Sequence, residues 1–331
     1  MNKRERIRAA LRGEPIDRVP LSLWQHCHQE DRTPEGLAGR TVALAQEYDL
    51  DLVKLTPCGL YAVEDWASMQ IIYPGTEHEP PFLYVPAVIE PDAWRQLVPL
   101  DPEEGALGRT LETTRLVSGS LAGEIPFVMT IFSPLTLAFK LAGADVVHHL
   151  RERPADLEAG LETLTQTTIH FTRAALAAGA DGLFFATQMA SQSWLARTEY
   201  QVFGIRYDLQ VLDAVAGQSA ITILHLHGQE IFFDIADRYP IHALSWHDQE
   251  TAPSLAEARQ RTALTFVTGL DRFLLGQGPP PEIQAQARRA LRQTKGRGLI
   301  LAPSCVIPTF APPEHLQAVR EAVLELSSRH Y

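Results

Sequence analysis

Cysteine is scarce in this chain of 331 residues. Cys27, Cys58 and Cys305 are too few and too scattered for a disulfide framework. Reduced thiols, as in the cytoplasm, are the expectation. Long apolar runs are also missing. No stretch approaches the roughly 18 uninterrupted apolar residues that suggest a membrane span. None follows the charged start Met1-Asn-Lys-Arg-Glu-Arg, as a secretory leader would require. Basic charge is in deficit, with 29 Lys plus Arg against 40 Asp plus Glu and a net charge of -11. Nonspecific nucleic-acid binding needs a basic face, so a small-molecule substrate is the expected partner. No Gly-x-Gly-x-x-Gly follows the first apolar run, which weakens a dinucleotide site. With no low-complexity linker to divide it, residues 1–331 are expected to form a single domain.

What is present is an alternation. Short apolar runs at 18–24, 51–56, 125–132, 182–186, 221–227, 242–246, 264–268 and 298–301 alternate with helical stretches. The helices are expected near 2–12, 35–48, 106–121, 134–151, 155–179, 197–216, 229–238, 253–262, 281–294 and 313–328. Short apolar runs between helices fit parallel strands buried on both faces. Eight strand–helix units predict a (β/α)8 TIM barrel more than an open doubly wound sheet. Between the second and third barrel strands lies a long proline-punctuated excursion with a hairpin near 70–84. Long excursions in compact domains are usually functional.

A barrel places its chemistry where strands end and βα loops begin. Ile221-Thr-Ile-Leu-His-Leu-His-Gly228 ends its strand in two histidines. Alternate strand residues share a face, so His225 and His227 point to one pocket if the strand persists to 227. Neutral imidazole is a common metal ligand, and Cys305 ends the eighth run in a similar setting. His225, His227 and Cys305 are therefore the candidate metal trio. His247 and Asp248 follow the sixth strand as a candidate general base and its orienter. Trp24, His26, His28, Lys54, Glu64, Gln188 and Trp246 are the candidate substrate contacts. Lys54, as an interior lysine, needs a partner, with Asp271 or Glu64 as the carboxylates on offer. Asp181, just before the fourth strand, is expected at the opposite rim in a structural role.

Several segments carry a family resemblance over essentially the whole chain. Arg4-Glu-Arg-Ile-Arg-Ala-Ala-Leu-Arg-Gly-Glu-Pro-Ile-Asp-Arg-Val-Pro20 is similar to the start of the uroporphyrinogen decarboxylase superfamily. Gly179-Ala-Asp-Gly-Leu183, His225-Leu-His-Gly228 and Cys305-Val-Ile-Pro-Thr-Phe-Ala-Pro-Pro-Glu-His-Leu-Gln-Ala-Val319 match further along. True decarboxylases of this superfamily are metal-free and carry an arginine-rich Arg-Gln-Ala-Gly-Arg segment after the first strand. Here that place reads Trp24-Gln-His-Cys-His-Gln-Glu-Asp31. A substrate with many carboxylates needs clustered guanidinium groups, so porphyrinogen decarboxylation becomes the alternative. The other branch, zinc-dependent methylcobamide:thiol methyltransferases, uses a His-x-Cys pair and a distant Cys. His225, His227 and Cys305 stand at the matching positions, with His227 replacing a cysteine. The resemblance thus implies zinc, a corrinoid or small-molecule methyl donor, a corrinoid protein as partner, a thiol acceptor and a homodimer. A barrel that binds corrinoids or tetrapyrroles without catalysis is the non-enzymatic alternative.

Overall fold

A computed structural model describes residues 1–67 and 70–327. The first strand, β1 (Val53–Leu55), is followed by a separate two-stranded antiparallel hairpin, β2 (Ile71–Ile72) and β3 (Phe82–Leu83). Six more strands then follow: β4 (Phe127–Phe132), β5 (Gly182–Thr187), β6 (Ile221–Leu226), β7 (Ala243–Trp246), β8 (Thr265–Leu270) and β9 (Leu299–Pro303). Together with β1 they make one curled parallel sheet in the order β1-β4-β5-β6-β7-β8-β9. Every residue in these seven strands is buried. That is why their sequences read as continuous Val, Ile, Leu and Phe runs rather than alternations.

The run at 18–24 does not form a regular strand. Its backbone nonetheless bonds to both ends of the sheet. Ser22 N donates to Leu301 O at 3.0 Å and Leu301 N donates to Pro20 O at 2.8 Å. On the other side Asp51 N donates to Leu21 O and Ser22 Oγ donates to Leu52 O, both at 2.8 Å. Pro20 has no N–H to give, and Leu21 N is taken by the Asp51 carboxylate at 2.9 Å. With these two donors lost to the ladder, only isolated parallel bridges remain, Leu21 to Leu301 and Gln25 to Ile307.

The helices cover the sheet as expected, with four local corrections. The stretch expected at 134–151 breaks at Gly143, whose φ of 62° is a left-handed value that ends the helix Pro134–Ala142. The chain resumes as the helices Val146–Glu152 and Pro154–Ala177. The helix expected at 197–216 holds a π-turn at 201–205 between two short α segments, and ends at Asp213. A Cβ on Gly204 would sit 2.4 Å from the Tyr200 ring, so glycine is required where the helix widens. Residues 229–238 form only a 3-10 turn at 233–237. The helix expected at 253–262 is shorter, Leu255–Arg261, and its Ser254 cap fixes the start. The last helix, Pro313–Ser327, was expected to reach 328, which lies outside the described residues. No helix among the described residues is long and apolar enough to cross a membrane.

At the end of the sheet where the strands begin, charges are paired. The fully buried Asp51 receives Arg6 Nη1 and Arg18 Nη1, both at 2.5 Å. Arg6 also reaches Asp17 at 2.7 Å. Asp181 takes Arg4 and the backbone N–H of Phe127, as its expected structural role requires.

Candidate metal centre and active site

The opposite end of the sheet, where strands finish, is built differently. β6 places His225 in the sheet, and β7 runs into His247. β9 leads to Cys305 two residues past its end. One ligand atom from each of these three lies within 4.8 Å of the others. His225 Nδ1 is 2.9 Å from Ser245 Oγ, the residue opposite it on β7. His247 Nε2 is buried and has no hydrogen-bond partner among the described residues.

His227 faces the same cavity as His225, but it stands outside the close trio. Its ring centroid is 6.1 Å from that of His225 and 4.6 Å from that of His247. Leu226 pairs with Trp246, so the next step of the register puts His227 beside His247, while His225 lies diagonally across from His247 with ring centroids 5.6 Å apart. The ligand atoms of His225, His247 and Cys305 nonetheless lie together, so His247, expected as a general base, is the third close ligand candidate in place of His227.

Burial sets the protonation of these rings. It pushes His225 well below the usual histidine value, His247 to about 4 and His227 to about 3. Neutral rings keep a lone pair free for a metal. Burial raises the Cys305 thiol, while Arg272, the Val306 backbone and Lys54 pull it back down.

A cavity of about 750 Å³ opens beside the trio. Trp24, His26, Lys54, Gln188, His225, His227 and Cys305 line it, as the strand-end rule anticipated. Lys54 Nζ has no carboxylate partner among the described residues. It lies 3.0 Å from Thr56 Oγ1 and over the Phe184 and Trp24 rings, at 4.7 and 5.5 Å. The carboxylates expected for it are engaged elsewhere: Asp271 caps the following helix, and Glu64 pairs with Arg109 at 2.6 Å. Burial lowers Lys54 to about 7.

Several expected contacts do not reach the cavity. Trp246 is fully buried between Phe233 and Phe266, its Nε1 donating to Pro253 O at 2.8 Å. Asp248 accepts from Thr268 Oγ1 at 2.5 Å and Gly269 N at 3.3 Å, so it is pinned to β8. The carboxylate nearest the His247 ring is instead Glu250, 3.5 Å from Nδ1. Glu64 is held by Arg109, and His28 turns toward a neighbouring pocket.

Sequence reasoning missed Lys140, Arg272, Phe132 and Phe184 in the wall. Arg272 directly follows the end of β8, so the strand-end rule could have found it. Lys140 is the lone charge in the apolar helix Pro134-Leu-Thr-Leu-Ala-Phe-Lys-Leu-Ala142, a readable signal. The wall thus holds three cationic side chains and no carboxylate among the described residues. Arg272 is partly neutralised by Glu250, both bonds being 3.0 Å.

Comparison with known proteins places this geometry. The uroporphyrinogen decarboxylase (URO-D) family profile matches residues 2–326. The methylcobamide:CoM methyltransferase MtaA of Methanosarcina barkeri is 26% identical, covering 95% of each chain. A uroporphyrinogen decarboxylase of Alkalilimnicola ehrlichii is 25% identical over 99% of this chain and 96% of its own. In structure, a methyltransferase from Methanosarcina mazei superimposes with a TM-score of 0.84 at 24% identity, covering 98% and 99% of the two chains. The chain is an enzyme of the uroporphyrinogen decarboxylase (URO-D) family.

Proposed function

We propose that the enzyme is a methyltransferase that moves a methyl group from a corrinoid to a small-molecule thiol, using zinc held by His225, His247 and Cys305. The observation that carries this reading is that His247, whose buried Nε2 has no hydrogen-bond partner among the described residues, offers a ligand atom within 4.8 Å of donors on His225 and Cys305. Leaving a buried ring nitrogen unpaired costs about 1–3 kcal/mol; a metal ion would satisfy it. Two imidazoles and one thiolate, with a fourth position left to the substrate, match the catalytic zinc pattern. Zinc bound there would supply Lewis acidity and deprotonate a thiol acceptor.

The chain's own groups prepare that site. Ser245 Oγ fixes the His225 ring through Nδ1, as outer-shell partners of ligating histidines commonly do. Burial favours the thiol form of Cys305, and Arg272 and Lys54 offset part of that shift. Lys140 and Lys54 offer positive charge to an anionic substrate, while Phe132, Phe184 and Trp24 wall the cavity with apolar surface. His227 and Gln188 supply further contacts at the mouth. The fold serving this site is an eight-position barrel in which residues 20–25 occupy the first position. A corrinoid protein and a second copy of the chain are the partners this reading suggests. The methylcobamide methyltransferase relative, matched along nearly its full length, supports it.

The test uses purified protein with free methylcobalamin and a panel of acidic thiols, monitored anaerobically by the corrinoid spectrum. Stoichiometric zinc and thiol-dependent demethylation are expected. Protein that neither retains nor takes up zinc, and transfers no methyl group, would refute the proposal. Coproporphyrinogen formed from uroporphyrinogen would establish a decarboxylase instead. Tetrapyrrole binding without turnover would leave a binding barrel.

A further inference from the structure

We propose a second divalent-metal site, separate from the Cys305 centre, formed by His26, His28 and Asp31. The three belong to the loop after the irregular first segment, in the pattern His-x-His-x-x-Asp. One ligand atom from each lies within 4.8 Å of the others. The His26 and His28 rings stack with centroids 5.1 Å apart and planes 24° from parallel. The His28 and Asp31 side chains are only 6% and 2% exposed.

Three buried atoms in this cluster lack hydrogen-bond partners among the described residues: His26 Nδ1, His28 Nδ1 and Asp31 Oδ2. His28 Nδ1 and Asp31 Oδ2 are 3.8 Å apart, too far for a hydrogen bond. Buried polar groups are nearly always paired. Three ligand side chains brought together, each with a buried unpaired atom and one of them a carboxylate, are what a cation site requires. Ligand–metal distances of about 2.1 Å at tetrahedral angles separate donors by about 3.4 Å. Small side-chain rotations would close the observed spacing.

The donor set selects the metal. Two imidazoles and one carboxylate suit zinc, iron(II) or cobalt(II), whereas magnesium and calcium prefer all-oxygen sites. No sulfur is among the three donors, which separates this site chemically from the first. It lies between two open spaces. His26 lines the main cavity, and His28 lines a neighbouring pocket of about 430 Å³. A metal there would tie the first loop to the cavity wall and leave positions open to water or a substrate carboxylate.

Cobalt(II) titration of chelator-stripped protein distinguishes the sites, because only the Cys305 site gives a thiolate-to-cobalt charge-transfer band. Wild type should bind two cobalt ions per chain, one of them with that band. The Asp31→Asn variant should keep the band and bind the second ion at least tenfold more weakly. The Cys305→Ser variant, which leaves the second cluster intact, should lose the band and still bind one ion. Binding of no cobalt by Cys305→Ser, or unchanged two-ion binding by Asp31→Asn, overturns the second site. Loss of the charge-transfer band in wild type would instead count against the first centre, so the two proposals fail separately.

Discussion

The two ends of the sheet treat buried charge in opposite ways. Where strands begin, Asp51 is enclosed by two guanidinium groups and a backbone N–H, and Asp181 is paired with Arg4. Where strands finish, His247 Nε2, His26 Nδ1, His28 Nδ1 and Asp31 Oδ2 are buried without partners. The first end spends its polar groups on one another; the second keeps them free for something else. A barrel's stability face and chemical face are expected to differ in this way. The difference also says what mutations should do: substitutions at the first end should unfold the protein, and those at the second should disarm it.

The largest effect is expected at the paired end. Asp51→Ala leaves Arg6 and Arg18 buried without a counter-charge, which should cost about 3–5 kcal/mol. Urea unfolding measures this, and activity per folded molecule should be unchanged. At the other end, Cys305→Ala should lower methyl transfer by more than the roughly 100-fold seen for outer-shell partners of metal ligands. Its unfolding midpoint should hold near that of wild type. If Cys305→Ala unfolds the protein while Asp51→Ala does not, the contrast between the ends is wrong.

Ser245→Ala sharpens the comparison within the chemical end. It removes the Oγ that is 2.9 Å from His225 Nδ1, so zinc affinity should fall about 10–100-fold. Metal-competition titration gives the number, and an unchanged affinity would mean that Ser245 does not orient the ring. The last effect concerns pH. Burial, aided by Lys54, lowers His26 to about 3, while an unfolded histidine titrates near 6.5. Between these values the unfolded chain binds a proton that the folded chain refuses. Stability from this residue is therefore complete above about pH 6.5 and lost as pH falls toward 3, with a slope of about 1.4 kcal/mol per pH unit. In metal-stripped protein, His26→Gln should flatten the acid side of the stability profile by that amount. Melting temperatures from pH 7 to 4 check it.

Much of this arrangement is legible in the sequence. The runs at 51–56, 125–132, 182–186, 221–227, 264–268 and 298–301 read as buried strands because stretches dominated by Val, Ile, Leu and Phe have few other uses. Their ends then mark His225, His227, Lys54, Gln188 and Cys305 as cavity residues, and all five line it. What failed did so for local reasons. The first segment has strand composition, but Pro20 and the Asp51 carboxylate remove its donors. Trp246 and Asp248 sit at a strand end, yet the side-chain alternation that aims His247 inward turns Trp246 out, and Thr268 captures Asp248. Lys54 needed no carboxylate, because a hydroxyl and two aromatic faces surround it.

Sequence by itself determined the parallel α/β architecture, the face on which the chemistry gathers and the family, since burial on both strand faces and order along the chain are local properties. Tertiary structure alone decided which histidine joins His225 and Cys305. Spacing along a strand favoured His227, but the ligand atoms that lie together come from three different strand ends, a juxtaposition that no local spacing encodes. The same holds for His26, His28 and Asp31. Their spacing was visible, but their unpaired convergence appears only once the loop has folded against the sheet.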